Sequence, residues 1–116
     1  MAMTGDTATI GNLLAPLPEA SVSEVFEDIC RLPGCRIERI VSAGQTTPID
    51  HPYQQEHDKW VLVLSGRAIV EASGCATELC PGDHLLIPAG MRHRVIFTAS
   101  DQPTVWLAVH VGEPAN

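Results

Sequence analysis

The sequence predicts an all-β fold of the small barrel or sandwich type, preceded by one short helix. Three observations carry that expectation. From Cys35 onward, short runs (CRIERIVS, KWVLVLS, RAIVEA, CATELC, HLLIP, HRVIFTA and TVWLAVHV) follow one another at near-regular spacing, several alternating apolar with polar as half-buried strands do. Gly, Pro, Ser and Asp punctuate the gaps between them. The 116 residues, 45% of them hydrophobic, are enough for one core and too few for two ordinary domains.

In chain order, residues 1–14 are small, polar and unpatterned, which predicts a flexible N-terminal arm. Residues 15–34 form the helical segment. Val22, Val25, Phe26 and Ile29 recur at intervals of three and four, Ser21 with Glu24 matches a capping box, and Pro33-Gly34 would stop a helix over Ser21 to Leu32. Residues 35–112 then make the barrel, with 113–116 as a tail. Ser65-Gly66 and Ser73-Gly74 read as hairpin turns, and Pro81-Gly82-Asp83 and Pro88-Ala89-Gly90 as the next two junctions, because Pro presets φ and Gly accepts positive φ. Trp60 and Trp106 lie inside strand runs and are expected to pack in the core.

Composition removes several function classes. Seven Lys and Arg against fourteen Asp and Glu give a formal charge of −7, which repels a phosphate backbone, so no nucleic-acid partner is expected. No apolar run approaches the ~18 residues of a membrane span, and MAMTGDTATIGNLL lacks a basic segment ahead of an apolar one. A soluble cytoplasmic protein is the expectation. Cys30, Cys35, Cys75 and Cys80 are spaced too widely for the usual zinc knuckles and are read as ordinary thiols. There is no glycine-rich phosphate loop, G-x-S-x-G elbow or C-x-x-C pair.

Two stretches carry candidate chemistry. HPYQQEHDKW, residues 51–60, concentrates histidines, glutamines and acids ahead of an apolar strand, and Tyr53, Gln55 and Lys59 share parity on a regular strand, as do His51 and His57. GDHLLIPAGMRH places Gly82, Pro88, Gly90 and His93 so that turns bracket the strand HLLIP and His93 opens the next one, able to project into a barrel mouth. His110 alternates with Trp106 and is expected to be a hydrogen-bonded structural histidine; His84 is expected on the surface.

The second stretch resembles the second conserved motif of the cupins, a glycine, five residues, proline, one residue, glycine, two residues and histidine, all present as Gly82, Pro88, Gly90 and His93. The resemblance implies a cupin-type jelly-roll β-barrel and, commonly, a homodimer. The first cupin motif, H-x-H, then glutamate, then six residues and glycine, supplies three more metal ligands. Counting back from Gly66 puts Lys59 at the glutamate position and Tyr53 and Gln55 at the two histidine positions. A phenol and an amide oxygen are weak ligands for divalent first-row metals, and an ammonium puts a positive charge where the metal charge should sit. The chain as a whole is similar to a functionally uncharacterised subgroup of small single-domain cupins in which Y-x-Q is usual and glutamate stands at the position of Lys59.

Three functions follow as expectations. The first is a small-molecule-binding cupin with a degenerate metal site and a pocket of Tyr53, Gln55, Lys59, His93 and Trp106. The second is a metal-dependent dioxygenase or isomerase in which His93, His57, His51 and Glu56 form a displaced site for a divalent transition metal such as Zn, Fe, Mn or Ni. The third is a non-catalytic structural or interaction barrel. Whether the protein is an enzyme, and on which substrate, the sequence leaves open.

Overall fold

The computed structural model describes residues 8–113, and it is built of eight strands. These are β1 Val25–Leu32, β2 Cys35–Ser42, β3 Asp58–Ser65, β4 Ala68–Ala72, β5 Cys75–Leu79, β6 His84–Ile87, β7 His93–Thr98 and β8 Thr104–Val111. Five pair in the order β1-β2-β8-β3-β6 and three in the order β5-β4-β7, every pairing being antiparallel. The two sheets face each other as a jelly roll. Inward positions of alternate residues make the core, with Ile40, Val61, Val63, Val70, Leu79, Ile87, Trp106 and Ala108 buried in one cluster. Among the described residues no helix is long and apolar enough to cross a membrane.

The helix expected within residues 15–34 does not form; Val25–Leu32 is strand β1, at the edge of the larger sheet. Its register with β2 steps from Asp28↔Glu38 to Cys30↔Ile37, so Ile29 is the extra residue of a bulge. That insertion places Phe26 and Ile29 three apart in an extended chain, which imitates the helical interval. The supposed capping pair is also used otherwise: the Ser21 hydroxyl donates to Glu19, and Glu24 accepts from the Ser42 hydroxyl. The barrel therefore starts ten residues before Cys35, at Val25.

Of the expected arm, residues 1–7 lie outside the described residues, as do 114–116 of the tail. The backbone carbonyls of Leu13 and Pro16 accept from the Arg39 guanidinium, which also pairs with Glu27. Turn chemistry is specific at two glycines. Ser73 and Gly74 both have positive φ, the two-residue turn that matches strand twist and joins Ala72 to Cys75. Gly66 has φ +87°, and a Cβ there would lie 2.5 Å from the Thr104 Cα. Trp106 is buried as expected, whereas Trp60 is half-buried on the outer face of the large sheet, directly opposite Leu86 and Val109 and tilted against the His84 ring at 5.5 Å.

Candidate functional site

The two polar stretches are tied together by backbone. Tyr53 and His93 exchange N–H to carbonyl bonds of 2.8 and 2.9 Å, Gly90 N–H donates to the Gln55 carbonyl at 2.7 Å, and Ala89 N–H donates to the Asp58 carboxylate at 2.9 Å. The turn Pro88-Ala89-Gly90 thus pins the loop that precedes β3, and β7 starts from that anchor. In consequence the Tyr53 and His93 rings stack at 5.2 Å with 18° between planes, and the Lys59 ammonium sits 5.0 Å from the centre of the Tyr53 ring.

Tyr53, Lys59 and His93 face a cavity between the two sheets. Its wall is otherwise mostly apolar, from Phe26, Ile40, Val70, Ile87, Val95 and Trp106, with Glu24 as the one acid, and its volume is about 30 Å³. Phe26, half exposed, stands where the cavity meets solvent. Gln55 does not line it, and its side-chain oxygen is buried without a partner among the described residues.

Burial sets the chemistry of these groups. His93 is 4% exposed; its Nδ1–H donates to the Met91 carbonyl at 3.3 Å, which leaves Nε2 as an unprotonated acceptor, and that atom is buried with no hydrogen-bond partner among the described residues. Burial holds the His93 imidazole below its usual pKa, the Met91 bond opposing and the Lys59 charge adding to the effect. Lys59 is 8% exposed, and burial likewise lowers its ammonium pKa, against the pull of Glu38 and Glu24. Neither acid pairs with it, since Glu24 accepts from Ser42, which in turn accepts from the Trp106 indole, and Glu38 is bonded to His110 and Arg36. Tyr53 is pushed up, by burial first and then by the charges of Glu24 and Glu38.

A second polar layer adjoins the cavity, because Lys59, His110 and Arg36 are directly opposite one another on β3, β8 and β2 and share the inner face. His110 Nε2–H donates to Glu38 at 2.9 Å, so its Nδ1 is free to accept from His57 Nε2–H, also at 2.9 Å. Burial, then the neighbouring His110, holds His57 below its usual pKa. Burial alone would raise Glu38, but His110 and Arg36 outweigh it and keep the carboxyl below the usual range. Arg36 clamps Glu113 with bonds of 2.6 and 2.9 Å and draws its carboxyl down to about 2. Sequence spacing does not announce the bonds of Glu38 to His110 or of Arg36 to Glu113, whose partners lie 72 and 77 residues apart.

The cavity layer does not offer the donors of a four-ligand cupin metal. At the positions implied by the motif stand a phenol, an amide, an ammonium and one imidazole, and the ammonium would oppose a bound cation. The displaced set does not draw together either: His51 and Glu56 are exposed, and His57 turns to His110. The cluster His57, His110 and Glu113 has ligand atoms within 4.8 Å of one another, but those atoms are already committed to each other and to Arg36.

The sequence matches the Cupin domain family over residues 38–110. No curated protein matches it in sequence. Among solved structures it is similar to a Ralstonia eutropha JMP134 protein provisionally named a mannose-6-phosphate isomerase, at 42% identity and a TM-score of 0.85, over 90% of this chain and 98% of that one. The same fold recurs in TT1209 from Thermus thermophilus, at 21% identity and a TM-score of 0.78 over 90% and 98% of the chains, and in KdgF from a Halomonas species, at 18% and 0.74 over 92% and 96%. With a jelly roll, the intact second motif and these matches in agreement, the chain belongs to the cupin family.

Proposed function

We propose that this cupin binds a compact organic molecule in its barrel, with an oxygen acceptor of the ligand facing Lys59 and His93, and that no first-row metal organises the cavity. One observation carries the reading: His93 Nε2 is buried with no hydrogen-bond partner among the described residues, and it shares a mostly apolar cavity with the buried Lys59 side chain. Buried polar groups are almost always hydrogen-bonded, and a native structure that leaves an imidazole nitrogen open beside a cavity reserves it for something else. The apolar wall supplies contact area, and the two polar groups supply orientation.

Cavity size limits the ligand. About 30 Å³ is well below the roughly 300 Å³ at which ordinary ligand pockets begin, so the occupant has few heavy atoms. The name of the Ralstonia relative is not carried over, since mannose 6-phosphate would need room for a sugar ring and a second cation beside Lys59 for its phosphate.

The test is a thermal-shift screen with small aldehydes, oxo acids and carboxylates. A ligand present at a hundred times its Kd adds about 2.7 kcal/mol to the native state. The rise in Tm should disappear in Lys59→Met and in His93→Ala. If no compound raises Tm, the barrel is a filled structural module and the proposal fails.

A further inference from the structure

Lys59 is the one lysine of the chain; the other six of its seven Lys and Arg residues are arginines. The side chain is buried, carries no hydrogen bond or ion pair to a described residue, and borders the cavity. A lysine kept for solubility would be exposed, and one kept for an ion pair would have Glu24 or Glu38, both of which are committed elsewhere. A buried amine that forms no salt bridge, in a mostly apolar pocket, is the environment in which lysine becomes a nucleophile toward carbonyl carbon.

We propose that Lys59 captures small aldehydes or oxo acids as a covalent imine inside the barrel, with His93 moving the proton. This rests on the organic-ligand reading of the cavity. The neutral amine donates its lone pair to the carbonyl carbon, forming the C–N bond as the carbonyl π pair moves to oxygen. His93 Nε2, the unpartnered acceptor, takes a first proton from the nitrogen and returns it to that oxygen, giving the carbinolamine, and then takes the remaining N–H proton and delivers it to the hydroxyl as it leaves. The C–O bond then breaks, water leaves, and the remaining nitrogen pair completes C=N. The sum is amine plus carbonyl giving imine plus water, with no oxidant or reductant consumed. Tyr53, stacked on His93 and beneath the Lys59 nitrogen, holds both groups in place.

The experiment is reductive trapping. The protein is incubated with acetaldehyde or with pyruvate in the presence of cyanoborohydride, and adducts are counted by intact mass and located by peptide mapping. Because the chain has a single lysine, the map distinguishes Lys59 from the N-terminal amine without any variant. The expected result is one adduct on Lys59, formed about tenfold or more faster than on a free lysine analogue at neutral pH, slowed in His93→Gln and absent in Lys59→Arg. Adduct confined to the N-terminal amine, or formed on Lys59 no faster than on the analogue, would overturn the imine. A thermal shift with the same compounds in that case would leave non-covalent binding standing, so the two readings fail separately.

Discussion

Position 59 holds an amine that the fold places out of water, on the inner face of β3 between Val61 and the His110 layer. Its lowered pKa gives a stability prediction whose sign can be worked out. Below the folded pKa the cost of burying the charge is fully present; between that value and 10.5 the unfolded chain binds more protons than the native one, so stability rises with pH. Lys59→Met removes both the cost and its titration. We expect the variant to be more stable than the parent at neutral pH, in urea unfolding, with the gap closing as pH approaches 10.5; a parent more stable at every pH would mean that Lys59 has a counter-ion. The place of this residue was legible by counting back from Gly66, because a turn that tolerates no Cβ fixes where the strand ends. Its lack of a partner was not, since that depends on where Glu24 and Glu38 spend their bonds.

Elements differ in how much of themselves they show in sequence. The junctions around β6 are written in Gly82, Pro88 and Gly90, residues chosen by backbone geometry, so the turn and His93 can be read directly. β1 was misread because a bulge at Ile29 breaks the two-residue alternation and leaves a helical interval in its place. The Glu38, His110 and His57 chain across β2, β8 and the start of β3 was invisible, because antiparallel pairing alone brings its members together. It has a measurable weight. His110→Leu leaves the Glu38 carboxylate with Arg36 but without the imidazole N–H, and a loss of about 1–3 kcal/mol is expected in chemical unfolding, the cost of a buried hydrogen-bonding group left unpaired. A loss under about 1 kcal/mol would show that water replaces the imidazole. Gly66→Ala, which sets a Cβ against Thr104 in a left-handed backbone, should cost about 2 kcal/mol or more and lower Tm without changing the ligand response.

For the whole molecule, the outer face of the five-stranded sheet carries Trp60, Leu86 and Val111, with Leu86 59% and Val111 49% exposed. We propose this face as the interface of the expected homodimer, since it exposes large apolar side chains beside Asp58 and His84. Sedimentation should give a dimer for the parent and a monomer for Leu86→Glu; a monomeric parent would remove the proposal. The central claim, though, concerns the cavity, where an amine replaces the carboxylate of a metal-binding cupin. Its most direct test is the transition-metal content of untagged protein purified without chelator, measured by mass spectrometry alongside His93→Ala. The account predicts substoichiometric metal, unchanged by that substitution. A full equivalent of metal in the parent that disappears in His93→Ala would contradict it.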